Sequence, residues 1–124
     1  MTPAAGVLYL HYRIIERTGG RHGVRDVRLL ESALARPFAA FDGHELYPDV
    51  YLKAAVLAVG IIKNHPFIDG NKRTGIASAA LFLENEGLTL SVSQKELVRF
   101  TNAIAEGKVD INEAARWFKK YTGD

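Results

Sequence analysis

Ten consecutive residues, His65-Pro66-Phe67-Ile68-Asp69-Gly70-Asn71-Lys72-Arg73-Thr74, bring together a base, a hard oxygen ligand and a cluster of anion-seeking groups. His65 can take a proton from an incoming hydroxyl near neutral pH. Asp69 suits a Mg²⁺ ion carried on phosphates. Gly70 lets the backbone approach an anion closely, and the N–H groups of residues 70 to 73, at the start of a helix, can converge on phosphate oxygens. Lys72 adds a mobile point charge and Arg73 a bidentate fork. Taken singly, each residue has a plainer reading as a turn former, a cap or a solvated side chain. Two bases in the first turn of a helix oppose its dipole, however, and a bound anion removes that conflict.

The elements that must position this run are helical. Pro66 disfavours helical geometry at His65, so one helix ends near Asn64 and the next begins near Asn71. Phe67 reads as the anchor that pins the connection into the core. Residues 50–63 are apolar nearly all round, which marks a buried helix with Asp49 as its N-cap. Residues 71–86 form a second such helix, closed by Gly87. Upstream, Val7, Leu10, His11, Ile14 and Ile15 share one face of a helix stopped by Gly19-Gly20, and a short helix around Val27, Leu30 and Leu34 ends before Pro37. Downstream, Ser93-Gln94-Lys95-Glu96 and Asp110 with Glu113 announce two more helices as capping boxes. Leu88 to Val92 alternates like a strand, but a single strand makes no sheet. Residues Pro37 to Asp49 are left as a long loop, a length that favours a functional role. The expectation is an all-α fold, a compact bundle of about six helices around two buried central ones, forming a single domain over residues 1–124.

Composition narrows the function. With 48% hydrophobic and 24% charged residues the chain is an ordinary globular one, and it has no cysteine, which excludes disulfides and thiolate metal sites and fits a reducing cytoplasm. Met1 to Gly6 carries no basic residue ahead of the apolar stretch, and Arg13 and Glu16 interrupt it, unlike a signal peptide. No run is long enough to span a bilayer. The formal charge of +2 is unevenly placed: +3 over residues 1–40, −2 over 41–90 and +1 beyond. Arg13, Arg17 and Arg21 fall four apart, one edge of a helix, either a solvated face or a strip for an acidic partner. Direct nucleic-acid binding is not expected on so small a net charge.

The ten-residue run resembles the signature loop of the Fic/Doc superfamily, and the chain as a whole is similar to its Doc (death-on-curing) branch from about Val7 to Tyr121. The segments Leu29 to Pro37, Glu45-Leu46-Tyr47-Pro48 and Ala80-Leu81-Phe82-Leu83 carry the likeness outside the loop. The resemblance implies that His65 activates the hydroxyl of a target protein and that Asp69 holds Mg²⁺ on the phosphates of ATP. It places Gly70, Asn71, Lys72 and Arg73 on those phosphates, with Lys72 and Arg73 also assisting transfer, and a target-positioning flap at Phe38 to Asp49. AMP-transferring members have Gly at the place of Lys72 and a further Arg at the place of Ile76. Their absence here points to the Doc reaction, transfer of the γ-phosphoryl group to a Ser or Thr of a translation protein, with the elongation factor EF-Tu as the expected target. AMP transfer is the alternative, and a non-catalytic module that blocks translation or DNA through a basic face is a third. The segment from Thr101 to Glu106-Gly107 is one residue too long for the family's inhibitory-helix pattern, so restraint by a Phd-like antitoxin is implied instead.

Overall fold

The computed structural model describes residues 3–123. Six α-helices run in the order α1 (Pro3–Thr18), α2 (Val27–Ala35), α3 (Val50–Asn64), α4 (Asn71–Asn85), α5 (Gln94–Ala105) and α6 (Ile111–Thr122). The Asp49 side chain caps α3 by accepting from Tyr51 and Leu52 N–H at 2.6 and 3.2 Å. Asp110 and Glu113 complete a reciprocal capping box on α6. Among the described residues no helix is long and apolar enough to cross a membrane.

Helix α3 is the axis of the molecule. Every residue from Lys53 to Ile62 is buried, and the helix contributes to two apolar clusters at once. On one side it packs with α4, α5 and α6 around Leu83, Phe100, Ile104 and Phe118. On the other, Leu57 and Ile61 join Val7 of α1, Leu30 and Ala33 of α2, and Phe67. Helix α4 is buried along the side that meets α3 and keeps Lys72, Arg73 and Leu81 exposed, so all-round burial belongs to α3. A Cβ on Gly75 would lie 2.7 Å from Ile62 Cγ1 and 3.1 Å from the Ala58 carbonyl oxygen, so glycine is what lets the two backbones approach.

Three further local expectations are corrected, and one holds: no sheet forms at Leu88 to Val92. The segment from Leu88 to Val92 alternates in exposure as its sequence does, but it forms no strand; Ser91 N–H donates to the Tyr121 carbonyl and the apolar side chains rest on the core. The two short strands lie instead in the presumed loop: β1 (Ala40–Phe41) and β2 (His44–Glu45) pair antiparallel across Asp42-Gly43. Both turn residues have positive φ, 51° and 78°, as a two-residue type I′ hairpin turn requires. Ser93 caps α5 by accepting from Glu96 N–H, but the Glu96 carboxylate turns away to Arg99 and Trp117, leaving half a capping box. Finally, α1 ends at Thr18, so Arg21 stands beyond the helix and only Arg13 and Arg17 share its edge.

Candidate active site

The C-terminus of α3 and the N-terminus of α4 meet in a tight connection. His65 caps α3 in the left-handed region (φ 50°, ψ 55°), its N–H donating to the Ile61 carbonyl. This places the exposed imidazole side chain just outside the helix end. Pro66 and Phe67 then dive into the core, where the Phe67 ring stacks on His11 at 3.8 Å between centroids. The His11 Nε2–H donates to the Asp69 carbonyl at 2.7 Å, so α1 holds both ends of the loop.

Asn71 fixes the loop's shape from within. Its buried amide accepts from Phe67 N–H and donates to the Phe67 carbonyl, both at 3.0 Å. The same Nδ2 lies 3.5 Å from His65 Nδ1, at the long limit of a hydrogen bond. The side chain of Asn71 is therefore committed to the loop, and its backbone N–H is the group left for a ligand in the cleft. Gly70 sits at φ 81°, and a Cβ there would reach within 3.0 Å of Ile15 and 3.6 Å of His11, so both conformation and space demand glycine.

The first hydrogen bond of α4 runs from Thr74 N–H to the Gly70 carbonyl. The N–H groups of Asn71, Lys72 and Arg73 precede that ladder, at the positive end of the helix dipole. They line a cleft of about 520 Å³ together with His65, Asp69 and the Gly19-Gly20 turn. Asp69 Oδ2 accepts from Arg21 N–H at 2.7 Å, which fixes the carboxylate beside the Gly19-Gly20 turn. Arg73 is exposed and has no hydrogen-bond or ion-pair partner among the described residues. Lys72 reaches the other way, donating to Asn102 Oδ1 of α5 at 3.0 Å. Lys72 and Arg73 thus also border a second cleft of about 440 Å³ between α4 and α5, walled by Ile14, Ile76, Leu97 and Val98.

The hairpin from Ala40 to Glu45 is fastened to α3 by Lys53, whose buried ammonium pairs with Glu45 at 2.9 Å and also donates to the Tyr47 carbonyl. Phe38, Phe41 and Leu46 are left exposed around it.

The structure brings all six sequence-predicted site residues to one cleft. It also adds supports that the sequence reading did not assign: His11, Arg21 through its backbone, Arg25 and Asn102. His11 carries the one local signal among them, a titratable ring on an otherwise apolar helix face. The partners of the others lie 30 to 48 residues away, where no periodicity reports them.

A model of the Fic/DOC family matches residues 2–83. The chain is 45% identical over 73 residues to "Toxin Doc" of Mycolicibacterium smegmatis, an alignment covering 59% of this chain and 56% of that protein. It is 31% identical over 117 residues to "Protein kinase doc" of Escherichia phage P1, covering 94% of this chain and 91% of that one. The match thus spans just over half of the first relative and nearly all of the second.

Proposed function

The chain belongs to the Fic/DOC family, and from that premise we propose that it is a Doc-type toxin that transfers the γ-phosphoryl group of ATP to a Ser or Thr hydroxyl of a translation protein, with EF-Tu as the first target to try. One observation carries the reading: a base, a lone carboxylate and the open N-terminus of a helix with two cations share one cleft. The relatives named as a toxin and as a protein kinase support its coarse part.

His65 is the base. It accepts the proton of the target hydroxyl while that oxygen bonds to the γ-phosphorus and ADP departs. The N–H groups of residues 71–73 and the Arg73 guanidinium meet the charge on the phosphate oxygens. Lys72 is tethered to Asn102 at the border of both clefts, so a short swing of its side chain brings the ammonium onto the phosphates. Among the described residues no cluster of three or more His, Asp or Glu could cage a metal. Asp69, a single carboxylate at the cleft, would suit a Mg²⁺ ion carried in on the phosphates of ATP. When bound, Mg²⁺ supplies charge neutralisation on the phosphates; Asp69, steadied by Arg21 N–H, holds it in place. The hairpin, exposed along both strands, suits contact with the target's backbone, and restraint by a Phd-like antitoxin follows from the toxin reading.

The test is label transfer from γ-labelled and α-labelled ATP in a bacterial lysate and onto purified EF-Tu, with His65→Ala alongside. We expect γ-label on protein, lost by at least about 100-fold in His65→Ala, the scale of a general base. Label appearing only from the α-phosphate replaces phosphoryl transfer by AMP transfer. Growth arrest that survives His65→Ala without any label leaves a non-catalytic module.

A further inference from the structure

The conformation of His65 needs a cause. Left-handed backbone is disfavoured for any L side chain, and a following proline pushes its predecessor toward extended geometry. His65 nonetheless sits at φ 50°, ψ 55°, directly before Pro66. Such a residue persists only where its surroundings hold it, and the holding group here comes from a segment 40 residues away in sequence.

Arg25 lies in the strap between α1 and α2. Its guanidinium Nε donates to the His65 carbonyl at 2.7 Å and its Nη2 to the Asn64 carbonyl at 2.8 Å. One planar fork thus spans the last carbonyl of α3 and the carbonyl of the left-handed residue, placing positive charge at the negative end of the helix. The strap's backbone completes the grip. Arg25 and Asp26 N–H both donate to the Pro66 carbonyl, at 2.7 and 3.1 Å, and Ile68 N–H donates to the Gly23 carbonyl at 3.1 Å.

We infer that Arg25 is the positioning residue for His65: its two hydrogen bonds fix the left-handed turn that aims the imidazole into the cleft, without Arg25 touching substrate. The inference rests on His65 acting as the base, as proposed above. Arg25 sets where the ring points, so its loss lowers the rate at saturating substrate and leaves nucleotide binding, held by α4, alone. Lysine cannot replace it, because one ammonium cannot bridge two carbonyls at fixed geometry.

The experiment compares Arg25→Lys and Arg25→Ala with the exposed α2 control Arg28→Ala. It reads kcat and the KM for ATP by γ-label transfer, and follows the His65 ring resonances by NMR. For Arg25→Lys we expect a native fold, a kcat lower by roughly 10- to 100-fold, a KM for ATP within about twofold, and shifted His65 ring resonances. Chemical rescue of Arg25→Ala by guanidinium would add support. Unmoved His65 resonances in a folded Arg25→Lys variant overturn the inference, as does an activity loss no greater than the fraction unfolded. If the wild-type protein transfers no label, the proposed activity fails, and the His65 resonances alone still decide whether Arg25 positions the ring.

Discussion

Asn71 shows how little of a site residue's work need be chemical. Its side chain lies under the loop, closing both hydrogen-bonding groups of Phe67, while its N–H remains at the open end of α4. Truncation strands a buried N–H and a carbonyl together, and each orphan costs about 1–3 kcal/mol. Asn71→Ala is therefore expected to lose about 2 kcal/mol in denaturant unfolding, as a shift of midpoint with unchanged slope. A loss under about 0.5 kcal/mol would mean that water replaces the amide and that the loop does not depend on it. The residues of this loop were legible from their types, because a base, a carboxylate and a helix start stand within ten positions. Their supports were not. His11 meets Asp69 across 58 positions and Arg25 meets His65 across 40, contacts that only the packing of α1 and the strap against the loop creates.

At the scale of elements, short-range signals gave the helices their ends, and competition between partners explains the exceptions. Asp110 and Glu113 close their box, and among the described residues no other side chain takes either carboxylate. Glu96 has other partners. Arg99 grips it through two hydrogen bonds of 2.8 and 2.6 Å, and Trp117 of α6 donates its indole N–H at 2.8 Å. The hairpin in the presumed loop carried a local mark in Asp42-Gly43, but its strands of two residues each are too short to show alternation. The Glu96 clamp ties α5 to α6 and makes a pH prediction. The hydrogen bond from Arg99, then that from Trp117, pulls the Glu96 carboxyl down from 4.5 to about 2. The unfolded chain therefore takes up this proton first as pH falls. The clamp's contribution is full above pH about 4.5 and is lost progressively as pH drops toward about 2. Thermal melts of wild type and Glu96→Gln between pH 6 and pH 2.5 check it. The difference between the two proteins is expected to shrink on acidification; a constant difference would assign Glu96 a role independent of its charge.

Across the whole molecule, α3 contributes buried residues to both cores. Its C-terminus presents His65, and its flank receives α4, whose first N–H groups open on the same cleft. The two helix ends that flank the loop are held together by the packing of α3 on α4, and Gly75 against Ile62 and Ala58 permits the close approach of the two helices. Gly75→Val forces side-chain atoms into an occupied space and is expected to cost about 1–3 kcal/mol, the range for overpacking. Helix propensity alone would favour valine over glycine at this position, so a destabilised variant isolates the steric effect. The steric effect also has a partner. Ile62→Ala in the wild-type chain opens a cavity beside a glycine and should cost about 2–5 kcal/mol. In the Gly75→Val background the same change relieves the clash, so its cost should fall by about 1 kcal/mol or more, a coupling of the size seen between touching residues. Denaturant unfolding of the four proteins in this cycle measures it directly. Additive costs would mean that α4 shifts bodily instead, and the site should then lose activity in Gly75→Val and recover none of it in the double variant.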